Sequence, residues 1–251
     1  MSMILVAHGT RRPAGVAMIG DLAAQVRVLI DQPVQVAFVD VLGPTPSEVL
    51  RTLSPGRPAV IVPAFLCRGY HVRADLPAHV AASGHPNVVV TPALGPNREI
   101  ARMVAQQLRQ SGWRPNDSVI LAAAGTSDPT ARADLHAATA LLSSLIRSRV
   151  DLAFAATGQP DVGTAVADAR RRGARRVAVA SYLLADGLFQ DRLRTCGADV
   201  VTEPLGTNPG LAKAIANRFR RAITPVTAEF HVGHRRQQSL IFDRIRTILT
   251  P

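Results

Sequence analysis

Two histidines stand where an imidazole can do chemistry. His8 directly follows the apolar run Met3–Ala7 and precedes Gly9-Thr10. His71 follows the apolar run Ala59–Pro63 through a loop containing Gly69. Neutral imidazoles transfer protons near neutral pH, their free pKa being about 6.5, and they ligate borderline divalent metals such as Fe2+, Co2+ or Ni2+. With no cysteine pair and few nearby carboxylates, these two make an incomplete site for tightly held zinc, which takes three or four protein ligands. A metal in transit suits them better. Four arginines border the pair: Arg11 and Arg12 after His8, Arg68 and Arg73 beside His71. A guanidinium is a planar fork for carboxylate or phosphate, so the four read as clamps for a multiply anionic ligand, with a solvated surface as the plain alternative. Asp40, the one acid ending an apolar run in this part of the chain, is placed to orient a histidine, to accept a proton, or simply to make a turn.

Other candidates are weaker. Cys67 and Cys196 form no CxxC pair, which excludes a disulfide scaffold, a cysteine zinc site or an iron–sulfur cluster; Cys67 reads as a small buried hydrophobe. Arg170-Arg171-Arg172 and Arg175-Arg176 end a helical stretch, where they favour the dipole and stay solvated. His79, His85 and His136 have no evident partner. His231 and His234 lie in a polar linker before an amphipathic stretch, Gln238–Leu249.

Short apolar runs alternate with amphipathic stretches. The apolar runs Met3–Ala7, Val34–Val39, Ala59–Pro63 and Asn87–Val90 predict buried strands; Gly15–Asp31, Ser47–Ser54, Ala74–Ala82 and Asn97–Ser111 predict the helices between and after them. Ser111–Asp117 is a polar, turn-rich break. The pattern then restarts, with strands at Ser118–Ala123, Asp151–Ala155, Arg176–Ala180 and Asp199–Val201 and helices at Thr130–Arg147, Val162–Arg172, Leu188–Thr195 and Asn208–Ala222. Such alternation predicts parallel βαβ units. Residues match too: Ile4-Leu5-Val6-Ala7-His8-Gly9-Thr10 parallels Ile120-Leu121-Ala122-Ala123-Ala124-Gly125-Thr126, and Pro63–Gly69 parallels Ser181–Gly187. In the second copy Ala124 faces His8 and Phe189 faces His71. One half looks chemical and the other looks like a wall. Both histidines fall at carboxyl ends of strands, where open parallel sheets bind ligands. A strand order of 2-1-3-4 would set their strands about 5 Å apart.

The 251 residues fit one large domain or two of roughly 100–150 residues. Hydrophobic residues make up 47% and charged residues 19%, enough apolar material to exclude disorder as the main state. Asp21, Arg27, Asp128 and similar charges interrupt every candidate membrane span, and no signal leader is evident, so a soluble cytoplasmic protein without membrane contact is expected. The net charge of +11 is almost all arginine, Lys213 being the one lysine, and it asks for an anionic partner. Nucleic acid fits poorly: aromatics are scarce and no recognised motif is present.

Leu5-Val6-Ala7-His8-Gly9-Thr10-Arg11, Ala37-Phe38-Val39-Asp40 and Pro63–Val72 resemble the class II chelatases of sirohaem and cobalamin synthesis, the sirohydrochlorin ferrochelatases and cobaltochelatases, in their long, internally duplicated form. The resemblance spans roughly residues 3–222. It implies an α/β chelatase-like fold of two Rossmann-like domains, each with a four-stranded parallel sheet, related by duplication and facing a cleft. Residues 1–113 would carry the catalytic histidines, 114–225 would lack them, and 226–251 would be a tail with a short helix. It implies further that His8 and His71 bind the metal and accept pyrrole protons, with Thr10, Arg11, Arg12, Arg68, Gly69 and Arg73 around a polycarboxylate tetrapyrrole and Asp40 auxiliary. No cofactor is held permanently; the divalent metal, Fe2+ or Co2+, is substrate. A monomeric pseudo-dimer is expected, with a homodimer as the alternative. Two departures stand out. The family's Phe-Leu-Glu with a further Glu reads Phe38-Val39-Asp40 and Gly43 here, and the cysteine motif and histidine-rich tail of some cobalt-associated relatives are absent, which favours iron. The alternatives are a cobalt chelatase, a tetrapyrrole or metal carrier without turnover, and a histidine phosphatase; the last normally has arginine where this chain has Ala7.

Overall fold

In the computed structural model, which describes residues 1–223, every strand of the sequence pattern is present. The first sheet consists of β1 (Ser2–Ala7), β2 (Val34–Phe38), β3 (Ala59–Pro63) and β4 (Val88–Val90); the second of β5 (Ser118–Gly125), β6 (Val150–Thr157), β7 (Val177–Tyr182) and β8 (Val200–Val201). Their orders are β2-β1-β3-β4 and β6-β5-β7-β8, and every pairing is parallel. The tail expected over residues 226–251, with His231, His234 and the stretch Gln238–Leu249, lies outside the described residues.

The helices are α1 (Pro13–Ile30), α2 (Pro46–Arg51), α3 (Leu76–Ser83), α4 (Arg98–Gln110), α5 (Pro129–Ile146), α6 (Val162–Arg171), α7 (Leu188–Arg194) and α8 (Pro209–Ile223). Their ends follow local chemistry. Thr45 and Glu48 form a reciprocal capping box on α2, and the side chains of Asn97, Asp128 and Asp161 cap α4, α5 and α6. The two halves repeat these devices at an offset of 116 residues. Pro13 and Pro129 open α1 and α5, and the left-handed residues Asp31 and Arg147 close them. Gly9 and Gly125, after the first strand of each half, hold φ of 100° and 111°. A side chain at Gly9 would meet the Asp40 carbonyl oxygen at 2.2 Å, so the turn that presents His8 requires glycine.

Alternation along the strands sorts the core. Met3, Leu5 and Ala7 face inward with Val60, Val62, Val119, Leu121 and Ala178, while Ile4, Val6 and Ile61 meet α2 and α3 on the outer side of the first sheet. Ile120, Ala122 and Val179 meet α6 and α7 on the outer side of the second. Both faces of the central strands β1, β3, β5 and β7 are covered, so these strands are almost wholly apolar, while the edge strands β2, β4 and β6 are partly exposed. The inner faces share one hydrophobic core with α1, α4, α5 and α8.

Two helices cross over within that shared layer. α4 precedes the break at residues 111–117, yet it packs on β7 and α5 of the second half; α8, from the second half, packs on α1 and β3 of the first. The last helix of each half thus completes the other half's covering.

α1 corrects one expectation. By length and composition it is apolar enough to cross a membrane, with a mean hydropathy of 1.4 over 18 residues, because Asp21 and Arg27 are too few to offset its alanines, valines and leucines. Its buried residues Gly15, Ile19, Leu22, Ala23 and Val26 form one stripe at helical spacing against the core.

Candidate active site

The strand order makes β1 and β3 neighbours, and their carboxyl ends deliver His8 and His71 to one point. The two Nε2 atoms lie 3.1 Å apart, and the rings meet edge to face with centroids 4.5 Å apart. His8 is exposed and His71 half-buried. Just after Gly69, whose carbonyl accepts from the Val72 and Arg73 backbone N–H groups, the chain makes a π-helical turn over His71–Asp75 that runs straight into α3. Such turns place i and i+4 side chains side by side, and here His71 Nδ1 sits 2.6 Å from Asp75 Oδ2.

The outer partners determine what the inner nitrogens carry. His8 Nδ1 lies 3.1 Å from the Gly9 carbonyl oxygen, and His71 Nδ1 lies against a carboxylate. Carbonyl and carboxylate only accept, so each Nδ1 bears the hydrogen and donates it. In the neutral rings both Nε2 atoms then present lone pairs to each other across 3.1 Å. Two facing lone pairs repel unless a proton or a cation stands between them. Two imidazole nitrogens bound to one metal at about 2.0–2.1 Å in tetrahedral geometry would lie roughly 3.3 Å apart. The pair is therefore spaced to hold either ion.

Asp75 escaped the sequence reading, which counted few carboxylates near the histidines. The signal was present as His71-x3-Asp75 in a helical stretch. Asp40 is close by: its backbone N–H donates to the His8 carbonyl, and its Oδ1 accepts from the Val41 N–H at 2.7 Å. Val41, β-branched, is held at φ 68°, a backbone conformation that costs on the order of 1–3 kcal/mol and clusters at functional sites.

The arginines expected as anion clamps mostly have another occupation. Arg68 donates through its backbone N–H, Nε and an Nη to the carboxylate of Asp134 on α5, at 2.6–3.2 Å. Arg12 pairs with Asp191 on α7 at 2.8 Å. Arg73 reaches Asp128 and the Thr130 hydroxyl at the start of α5. These are ties between the halves, made across at least 55 residues of chain, so no local pattern announces them. The charges of the three are matched by carboxylates; of the four, Arg11 alone has no carboxylate partner among the described residues. The Thr10 hydroxyl accepts from the Arg12 N–H at 3.2 Å and also lies 3.6 Å from where a side chain on Gly187 would begin. Tyr182 adds a further tie, its buried hydroxyl donating to the Leu66 carbonyl; burial pushes its pKa up and keeps it neutral.

Burial works against ionisation of Asp134, whose side chain is 2% exposed, but the Arg68 guanidinium and N–H outweigh it and hold the carboxyl below the ordinary range. Burial, with the Asp134 charge nearby, pushes the Cys67 thiol up to about 11, so it stays protonated and unreactive at neutral pH.

Exposed apolar side chains follow the carboxyl ends of the strands in both halves: Val41 after β2, Tyr70 after β3, and Leu188 and Phe189 at the start of α7, with exposures of 39–64%. Phe189 occupies the position that corresponds to His71 in the duplication. The second half thus offers ring and methyl surface where the first offers imidazole.

A family model described as CbiX matches residues 2–111 and 118–222. Among characterised proteins, a sirohydrochlorin ferrochelatase of Priestia megaterium is 22% identical over 249 residues, covering 92% of this chain and 94% of its own length. A sirohydrochlorin cobaltochelatase of Methanothermobacter thermautotrophicus is 29% identical over 133 residues, which is 44% of this chain and 92% of that shorter protein. Among solved structures, one described as SirB from Bacillus subtilis with Fe3+ superposes with a TM-score of 0.73 at 20% identity, covering 88% of this chain and 94% of the other.

Proposed function

Because this chain belongs to the CbiX family, we propose that it is a sirohydrochlorin chelatase in which His8 and His71 pass a divalent cation to the macrocycle and take up one of the protons released. The observation that carries this reading is the Nε2–Nε2 separation of 3.1 Å with both Nδ1 atoms committed elsewhere. Metal insertion exchanges one doubly charged cation for two pyrrole N–H protons. A pair of lone pairs facing each other serves both steps: it holds the cation, then takes up one of the two protons between the rings as the cation leaves, the other passing to solvent. The metal is substrate and moves on, in keeping with a site of two imidazoles and no third strong ligand between them.

The domain roles follow. Residues 1–113 supply the chemistry, and residues 114–225 supply the opposing wall through Leu188 and Phe189, apolar surface suited to a conjugated ring. Arg11, together with whatever charge Arg12, Arg68 and Arg73 can spare from their carboxylates, faces the acidic side chains of sirohydrochlorin. Iron is favoured over cobalt because this chain lacks the cysteine motif of cobalt-associated relatives. The molecule works as a monomeric pseudo-dimer.

The test is anaerobic metallation of sirohydrochlorin with Fe2+ and with Co2+, followed by the change in its visible spectrum. The protein should raise the rate well above the spontaneous one with at least one metal. A rate no higher than the protein-free control, with tight macrocycle binding, would make it a carrier. Asp75 should matter as a positioning residue: Asp75→Asn is expected to weaken Co2+ binding at the pair by about 10- to 100-fold, measured by titration without macrocycle, because the amide no longer fixes the His71 tautomer.

A further inference from the structure

We propose that the cavity of about 480 Å3 beside His71, lined by Asp40, Asp75, Ala78 and His79 among others, is the port by which the divalent cation reaches the histidine pair, with His79 as its outer ligand. This rests on the chelatase reading above and extends it to a residue on the far side of the site.

Position is the first argument. Every residue lining the cavity belongs to the first half of the chain, whereas in the chelatase reading the macrocycle lies between the two halves. A macrocycle lying between the halves would leave this first-half route to His71 free. A cation entering here meets the pair from the side, without passing the ring it is to enter.

The donors form a line. His71, Asp75 and His79 follow one another at four-residue spacing along the π-helical turn and α3, which places them successively along one face. Asp40 faces the same space, and only its Oδ1 is engaged by the Val41 N–H. All four side chains are metal-ligating types, hard carboxylate and borderline imidazole.

A chain of hydrogen bonds determines which nitrogen His79 offers. Glu48 Oε2 accepts from both the N–H and the hydroxyl of Thr45. A carboxylate cannot donate, so the Thr45 hydroxyl must give its hydrogen there. The Ser47 hydroxyl, 3.2 Å from Thr45 Oγ1, therefore donates to Thr45 and is left to accept. Its other neighbour is His79 Nδ1 at 3.3 Å, which accordingly bears the hydrogen. His79 Nε2 then carries a lone pair. Metal-binding histidines are commonly set up in this way, with the far nitrogen donating to an oxygen that locks tautomer and orientation. His8 and His71 show the same commitment of Nδ1 to an oxygen acceptor. His79, which had no evident partner in the sequence, thus has the orientation of a ligand and a cavity to serve.

The port is for loading and not for storage: among the described residues no three of His, Cys, Asp and Glu converge on one point to hold a metal. A weak staging position that releases its cation inward is what a delivery route needs.

The experiment has two arms. In the first, the full chain is titrated with Co2+ under nitrogen without macrocycle, and the visible absorption of bound Co2+ is followed. Wild type should show a tighter step and a weaker one; His79→Ala should lose the weaker step and keep the tighter. In the second, initial metallation rates are measured against Co2+ concentration. His79→Ala should raise the apparent KM for Co2+ by about 10-fold, with kcat and the KM for sirohydrochlorin unchanged. His79→Glu, which can still ligate, should recover most of the loss; His79→Gln, which can still bond Ser47, should not. An unchanged metal KM in His79→Ala, or equal recovery by Gln and Glu, overturns the port and leaves His79 a support for α2. If wild type metallates nothing, the chelatase reading falls, yet the titration still decides: loss of the weaker step in His79→Ala upholds a cation port, and superimposable titrations overturn it.

Discussion

Replacement of His71 by alanine should lower the metallation rate by about 1,000-fold, and replacement of His8 should do nearly the same. Positioned acid–base groups contribute roughly 100- to 10,000-fold, and in the proposed mechanism each imidazole is both ligand and base. The 3.1 Å contact makes the two a unit: either ring alone is a monodentate ligand with one lone pair, able to hold neither the cation nor the shared proton in place. Residues that act as a unit are strongly non-additive, so the double variant should be only slightly slower than either single one. The check is the initial rate of anaerobic metallation at saturating sirohydrochlorin, with far-ultraviolet circular dichroism to show the variants folded. Activity within a few-fold of wild type in either single variant would remove the pair from the mechanism.

Arg68→Ala should destabilise the protein, because it leaves the buried Asp134 carboxylate without its guanidinium and with only the Arg68 backbone N–H of this tie. Asp134 has a side chain only 2% exposed, and its principal compensation is the guanidinium of Arg68. The reverse change, Asp134→Asn, should cost less, about 1–3 kcal/mol, since the Arg68 side chain is 58% exposed and can turn to water. The pH dependence has a definite sign. Asp134 has its carboxyl held below the ordinary value of about 3.9 in the folded wild type. Its stabilisation is therefore present above that value and is lost as pH falls through the lower, folded one. In Arg68→Ala the same carboxyl keeps the backbone N–H but lacks the guanidinium, so burial weighs more against its charge and protonation relieves it. The stability gap between wild type and Arg68→Ala, read from urea denaturation, should narrow as pH is taken from 7 towards 3. A gap that stays constant over that range, or no gap at pH 7, would mean the guanidinium contributes nothing to the tie between the halves.

The fold was legible because its central strands are buried on both faces and the strands are separated by clear turn chemistry. Met3–Ala7 and Ala59–Pro63 could be read as neighbours once the common strand order was assumed, and that order placed His8 and His71 together. The duplication was legible in Gly9 and Gly125 and in the loss of imidazole at Ala124 and Phe189. What eluded the sequence depends on how two remote surfaces dock. Nothing local tells Arg68 that Asp134 lies across the interface, so an arginine tied to a buried aspartate looks the same as one waiting for a ligand. Asp75 and His79 were hidden differently: four-residue spacing counts only once the turn after Gly69 is known to be helical.

The exchange of α4 and α8 between the sheets bears on how a protein of this kind is assembled from a shorter one. A chain of one half alone, folded on this plan, would leave one face of its sheet bare until a second copy lent its terminal helix. Its assembly would vary with concentration. Joining the copies through residues 111–117 replaces that encounter with a tethered one, at effective concentrations on the order of millimolar for a short linker. The two halves of one chain need not be alike, and here they differ at the site: His8 and His71 in one, Ala124 and Phe189 in the other.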